Sequence, residues 1–469
     1  MNSERRRPWL TMVLACAAVA AVTGALVAQQ NTVLPQPVAS RLPAPTTASP
    51  KPSRGGTRPE GVNPSVPAGF TLSVYAELPA PRMMVYAPNG DLFVSSPGTN
   101  TITVLRDANN DGTFEARETY AGGAPPARGG PPAGGGGGGG GGRAAGRAAG
   151  GPPPGFGQPP AVLGASAPAC MPPPTFVEKG PGTIAAPFGL AFHDGYLYVG
   201  NTGSLVRYKY TNGDLKAQGD PEKLMDLPTG GHSTRNVIFN RAGTKMYVAV
   251  GSQSNNDAGE DCRRAAILEF NPDGTGYRVF ASGIRNPVGL ALQPGTDTLW
   301  TAMNERDNLG DDLVPDYATS VKDGGFYGWP YSYIGSNYDP RYVGAFPDLV
   351  KKAIVPDVLF PAHSAALGIT FYTGNQFPQR YRNGGFVALH GSWNRSVASG
   401  YRVVFFPMAN GKPGPIEDFL TGFLSADGTN GSPITQWGRP VGVLTARDGS
   451  LLVSDDTGNK IWKITAARK

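Results

Sequence analysis

The chain has 469 residues, 40% of them hydrophobic and 16% charged, with 66 Gly and 46 Pro. So turn-rich a composition argues against long helices and favours many short strands. The net charge of +6, without any Lys/Arg stripe interleaved with aromatics, gives no case for nucleic acid.

The first element is a basic "MNSERRRPW" followed by the apolar "LTMVLACAAVAAVTGALVA". This reads as a signal peptide over residues 1–28, implying a periplasmic or secreted protein with no membrane span after cleavage. Residues 29–62 are Pro/Ser/Thr-rich without apolar period and predict a disordered linker. The main domain then covers residues 63–469, interrupted by a low-complexity insertion at 121–175. That insertion holds the run Gly134–Gly142 and cannot bury enough apolar surface to offset its ordering entropy. Cys170 and Cys262 remain in the mature chain, where an oxidising compartment would join them in one disulfide or leave two thiols.

Six times the chain gives an apolar strand, a polar turn and a second strand: "MMVYAPNGDLFVSS", "GLAFHDGYLYVGN", "NVIFNRAGTKMYVAV", "GLALQPGTDTLWTAM", "GITFYTGNQFPQRYRNGGFVALH" and "GVLTARDGSLLVSD". Third strands often follow. Repeated hairpins with variable loops predict an all-β, six-bladed β-propeller. The "GFTLSVYAEL" stretch at 69–78 would pair as an outer strand with the C-terminal repeat and close the ring.

In such a ring, segments entering the first strand and leaving the second gather at one mouth. Those segments read "GHSTRN", "GSQSNND", "GIRNPVG", "NERDNLGDD", "AHSAALG", "HGSWNR" and "WGRPVG". His232, flanked by small residues, suits a general base; a histidine tied to loop backbone is the structural alternative. His193 sits in a hairpin turn, whereas His363 and His390 stand at the mouth. Arg285 and Arg439 suit recognition of carboxylates or a developing oxyanion, or inter-blade ion pairs. Glu305, Asp307, Asp311 and Asp312 are dense enough to need a counter-charge, and calcium is the natural one in an exported protein. A second calcium candidate is "DANNDGTFEARE", with Asp107, Asn109, Asp111, Gly112, Thr113 and Glu118 at EF-hand loop positions. Its flanks are not helical, so a polar hairpin turn competes.

Together, "GGHSTRNVIF", "VGSQSNN", "GIRNPVGLAL", "NERDNLGDDLVPDY", "GGFYGWPY", "HGSWNRS" and "WGRPVGVL" resemble the glucose/sorbosone dehydrogenases, six-bladed propellers that use pyrroloquinoline quinone (PQQ) and calcium. The resemblance covers about residues 65–467. It implies oxidation of a sugar hydroxyl or aldehyde, with electrons passed to an external acceptor such as a quinone or cytochrome. By motif, His232 would take the substrate hydroxyl proton, Arg285 would hydrogen-bond the quinone oxygen, and Asn286 would hold the cofactor. Backbone carbonyls of Asp307 and Asn308 would bind calcium, with Asp312 in support. Arg439 would pair with a cofactor carboxylate, and Asn394 or Arg395 would contribute from the far side. Gly231 stands where the glucose branch has Asp, Ser252 replaces an acidic residue that orients the base, Asn394 replaces a lysine, and Val441 an arginine. This pattern is nearer the sorbosone-dehydrogenase-like branch. Two other readings are a calcium-dependent lactonase-type hydrolase, which would want acidic or Asn ligands on several blades, and a non-catalytic propeller that binds glycans or a protein.

Overall fold

The structure, a computed structural model, describes residues 32–467 except 48, 110 and 124–178. The expected signal peptide, Cys170 and nearly all of the expected insertion lie outside the described residues. Ala121–Gly123 are described, and the first two complete the outer strand Ala116–Gly122 of the first blade.

Six sheets of four or five strands follow one another along the chain, antiparallel except where Gly325–Phe326 adds in parallel to the edge of the third. Their first two strands are Met84–Tyr86 and Leu92–Ser96, Pro187–His193 and Tyr196–Asn201, Val237–Phe239 and Met246–Val250, Asn286–Leu292 and Leu299–Asn304, Ala366–Phe371 and Gly385–Leu389, and Pro440–Thr445 and Leu451–Asp455. Turn residues sit where hairpins need positive φ: Gly90, Asp194, Gly195 and Gly449 all have it. The sixth sheet takes its outermost strand from Phe70–Glu77, paired antiparallel with Lys460–Ala466. The ring is therefore closed by pairing a strand that precedes the first blade with the C-terminal strand, as the sequence predicts.

Strand side chains alternate between two neighbouring sheets, so each sheet is buried on both faces. Phe93 packs toward the second blade while Leu92 and Val94 pack toward the sixth. One apolar cluster fills each gap between adjacent blades, including the gap between sixth and first. At the centre, Met83, Val288, Leu367 and Val441 form a plug. The innermost strands touch their neighbours so closely that four carry glycine. A Cβ on Gly289 would lie 2.3 Å from the Leu367 carbonyl, and one on Gly368 would lie 2.5 Å from that of Val441. Gly189 and Gly442 face the Arg235 and Arg82 carbonyls in the same way.

Residues 32–62 depart from the expected disordered linker. Thr32–Leu34 bond the Ile416–Asp418 backbone, Ala39–Arg41 form a 3₁₀ turn, and Ser53–Gly55 pair in parallel with Ile434–Gln436. A Pro-rich segment is already extended, and here the propeller loops satisfy its backbone groups.

Candidate functional site

The start of each blade's first strand and the end of its second lie at the same end of the hairpin, and the polar segments converge there. His232 is 5% exposed and its backbone amide bonds the Ser252 carbonyl. Its Nδ1 stands 2.8 Å from that carbonyl and 3.1 Å from Ser252 Oγ. Since a carbonyl can only accept, Nδ1 carries the proton and Nε2 has the free lone pair. Nε2 is buried and has no hydrogen-bond partner among the described residues. Burial first, then the Arg285 charge, lowers the imidazole to about 3, so it is neutral across the physiological range.

The loop holding His232 is pinned by a residue the motif reading left unassigned. Arg235, fully buried, donates to the carbonyls of His232, Thr234 and Pro228. Gly231 has φ +61°, and a Cβ there would come within 2.3 Å of the Gln253 backbone. That crowding explains why no aspartate stands before the histidine. Ser252, for its part, holds the His232 imidazole through a neutral carbonyl, not a carboxylate.

Beside His232, Arg285 is 1% exposed and gives its donors to protein oxygens: Nε to Asn255 O at 2.9 Å, Nη1 to Glu305 O at 2.7 Å, and Nη2 to Asn255 Oδ1 at 2.9 Å. Asp307 Oδ2 is 3.5 Å from the same guanidinium. Asn255 is the hub that sequence reasoning missed: it also accepts from the Asp307 amide and donates to the Asp307 carbonyl. Its only signal was its place in "GSQSNND".

Asp307 joins a further pair. Asn394 donates to its Oδ1 at 2.7 Å, and His363 Nδ1 lies 3.5 Å from the same oxygen. Burial alone would raise the Asp307 carboxyl, but His363 and Arg285 outweigh it and hold it below its usual value. Burial opposes protonation of His363, yet Asp307 and the Gly310 carbonyl raise it, so the two side chains titrate together.

Asn286 donates to Asn304 Oδ1 and leaves its own Oδ1 buried without a partner among the described residues, as does Asn394. Asn286 Oδ1 and His232 flank Gly251, where an added Cβ would lie 2.3 Å from the amide oxygen and 2.7 Å from His232 Cβ. The bare backbone there leaves a small polar cradle, whose unmet atoms fit a ligand rich in carbonyl and carboxylate groups.

The other predicted residues lie elsewhere. Arg439 is fully buried and donates to the carbonyls of His390 and Gly391. With His390, Asp456 and Arg82 it forms a second cluster, in which His390 Nε2 is 3.0 Å from Asp456 and Arg82 3.0 Å from the same carboxylate. Burial and Arg439 lower His390 to about 4. Val441 belongs to the apolar plug, which is no place for a second arginine. His193 stacks on Phe239 at 4.4 Å.

Arg395 pairs with Asp312 at 3.0 Å, on the exposed side of the loop. Asp311 accepts from the Ser396 amide. The carbonyls of Asp307, Leu309 and Gly310 each accept a protein hydrogen bond, and Asn308 is left-handed with φ +72°. Among the described residues no three His, Cys, Asp or Glu come together to hold a metal. The side chains of this loop therefore do not fit calcium. At the EF-hand-like stretch, Asp107 accepts from the Gly112 amide, Asn109 from that of Asp111, and Asp111 from that of Thr113, which makes a polar turn. Glu118 is on the following strand, 3.7 Å from Lys216. Cys262 is disulfide-bonded, to a partner outside the described residues.

A glucose/sorbosone dehydrogenase model matches residues 200–392, and a TrAA12-like model matches residues 350–467. A protein of Borreliella burgdorferi is 32% identical over 299 residues, covering 60% of this chain and 76% of its own. The aldose sugar dehydrogenase YliI of Escherichia coli is 26% identical over 200 residues, covering 38% of this chain and 52% of its own, so the chain spans only about half of that relative. Among solved structures, the holo form of the pyranose dehydrogenase PQQ domain from Coprinopsis cinerea superposes with a TM-score of 0.62 at 20% identity, over 88% of this chain and 99% of that one. The first family model spans the loops that carry His232, Arg285 and Asp307, and the chain belongs to the glucose/sorbosone dehydrogenase family.

Proposed function

We propose that the protein is an exported PQQ-dependent dehydrogenase that oxidises an aldose or a sugar aldehyde such as sorbosone. The observation that carries this reading is the buried, unpartnered Nε2 of His232 beside Arg285 and Asn286. PQQ, when bound, would supply the two-electron acceptor for the substrate hydride and then pass electrons to an external quinone or cytochrome.

The chain's own residues do the rest. His232 Nε2 takes the proton of the substrate hydroxyl, with Nδ1 held in the donor state by the Ser252 carbonyl. Arg285 sets a positive potential where negative charge develops on an oxygen. Asn286 and Asn394 offer amide oxygens and nitrogens to hold the ligand. The Asp307–His363 pair and the Arg439 cluster keep the surrounding loops in place. Calcium would have only backbone carbonyls in the 307–312 loop, and no step runs through it. The lactonase-type reading lacks the acidic ligand set it needs among the described residues. Among those residues no helix is long and apolar enough to cross a membrane.

The test is to purify the apo-protein, add PQQ with and without Ca²⁺, and follow dye reduction across aldoses and sugar aldehydes. Sugar-dependent reduction, with cofactor absorbance retained after gel filtration, is expected. Neither signal at any cofactor concentration would leave a non-catalytic propeller as the better reading.

A further inference from the structure

Asp307 and Asn394 sit on irregular loops of different blades, the fourth and the fifth. Few ladder bonds hold such loops. They are tied to each other by Asn394 to Asp307 at 2.7 Å, Arg395 to Asp312 at 3.0 Å and the Ser396 amide to Asp311 at 3.1 Å. One further segment bonds both. The Thr46 amide donates to the Leu309 carbonyl at 3.0 Å, and the Lys51 amide donates to the Arg395 carbonyl at 2.9 Å. The fit is close on both sides: Gly310 has φ +104°, and a Cβ there would lie 2.0 Å from Thr46 Oγ1. Lys51 Nζ reaches the Gly428 carbonyl at 2.6 Å, and Ser53–Gly55 continue as a strand beside Ile434–Gln436, just before Arg439.

We propose that the described residues 32–47 and 49–58 are a positioning strap, whose Thr46 and Lys51 backbone amides hold the Asp307 and Asn394 loops in register across the mouth. The consequence for catalysis rests on the dehydrogenase reading above; the mechanical claim does not. Two irregular loops joined to each other only through side chains open at lower cost than a strand ladder, and a backbone segment bonded to both adds to what holds them closed.

The experiment is hydrogen exchange on the full chain without cofactor. Thr46→Pro and Lys51→Pro each remove the backbone donor together with the side chain, and the matched alanine variants remove the side chain alone. Thr46→Pro should speed exchange about tenfold in peptides covering 304–312, and Lys51→Pro in those covering 389–400. Exchange in the second-blade strands at 196–209 should stay native. Thr46→Ala and Lys51→Ala, which keep the amides, should behave as the native chain. If the native protein oxidises sugar, each proline variant should lose about tenfold in kcat/KM with its Tm little changed. Native exchange at both loops in both proline variants would overturn the strap, whether or not the protein oxidises sugar. Faster exchange with no sugar oxidation by the native protein would leave the strap standing and sink only the dehydrogenase reading.

Discussion

At the level of single residues, the site is defined by what each group has left to offer. Arg285 has spent its donors on Asn255, Glu305 and Asp307, so it acts through its charge; His232 has spent Nδ1 and kept Nε2. Because its imidazole is lowered to about 3, the neutral ring proposed as the base is lost only as the pH falls far below an ordinary histidine's range. The acid limb of kcat/KM should therefore lie below pH 5. A limb near 6.5, the usual histidine value, would mean a solvated base and a different site geometry. Ser252 and Gly231 separate backbone from side-chain roles. Ser252→Ala keeps the carbonyl that holds Nδ1, and kcat should fall no more than about threefold. Gly231→Asp must move the Gln253 backbone out of the way, and should cost on the order of 3 kcal/mol in stability by urea unfolding, along with activity. If the aspartate variant is stable and faster, the expected glucose-branch arrangement is the better account of this loop.

Among elements, the inner strands are the tightest part of the molecule. Gly289 and Gly368 are not turn glycines; each leaves room for the carbonyl of the next blade. Gly368→Val should destabilise by about 3 kcal/mol in thermal or urea unfolding, whereas Gly180→Ala, at a site with open space, should be nearly neutral. Equal effects would mean that the blades can slide apart to accommodate side chains. The hairpins were legible beforehand because their signal is local: apolar strands of short length meet at "PNGD", "HDG" or "RDGS". The polar mouth was legible for a related reason, since hairpin topology brings the segments before Val237, Asn286, Ala366 and Pro440 to one end. What could not be read is the support. Asn255 bonding Arg285 and Asp307, Arg235 bonding its own loop, and Thr46 bonding Leu309 are pairings of side chains and backbone groups within irregular segments, with no periodicity to announce them. The Pro-rich stretch at 32–62 misled for the same reason. Its composition forbids a core of its own but not docking on an existing one.

For the whole molecule, closure is the governing fact. Phe70–Glu77 supplies the outer strand of the last blade, so the first strand of the propeller domain completes the sheet that the C-terminus begins. A chain lacking residues 1–77 would expose the edge of that sheet and uncover the cluster around Leu92, Leu452 and Ile461, and should lose cooperative unfolding. A closed ring also fixes the six inner strands around the apolar plug, which leaves one mouth where His232, Arg285, Asn286, Asp307 and Asn394 meet. The central claim is that this mouth oxidises sugar with His232 as the proton acceptor. Its most direct test is single-turnover reduction of the PQQ-loaded protein by an active aldose, native against His232→Ala, with bound cofactor quantified in both. The predicted result is a fall of at least a hundredfold in the reduction rate, with cofactor occupancy unchanged. Equal reduction rates at equal occupancy would contradict it.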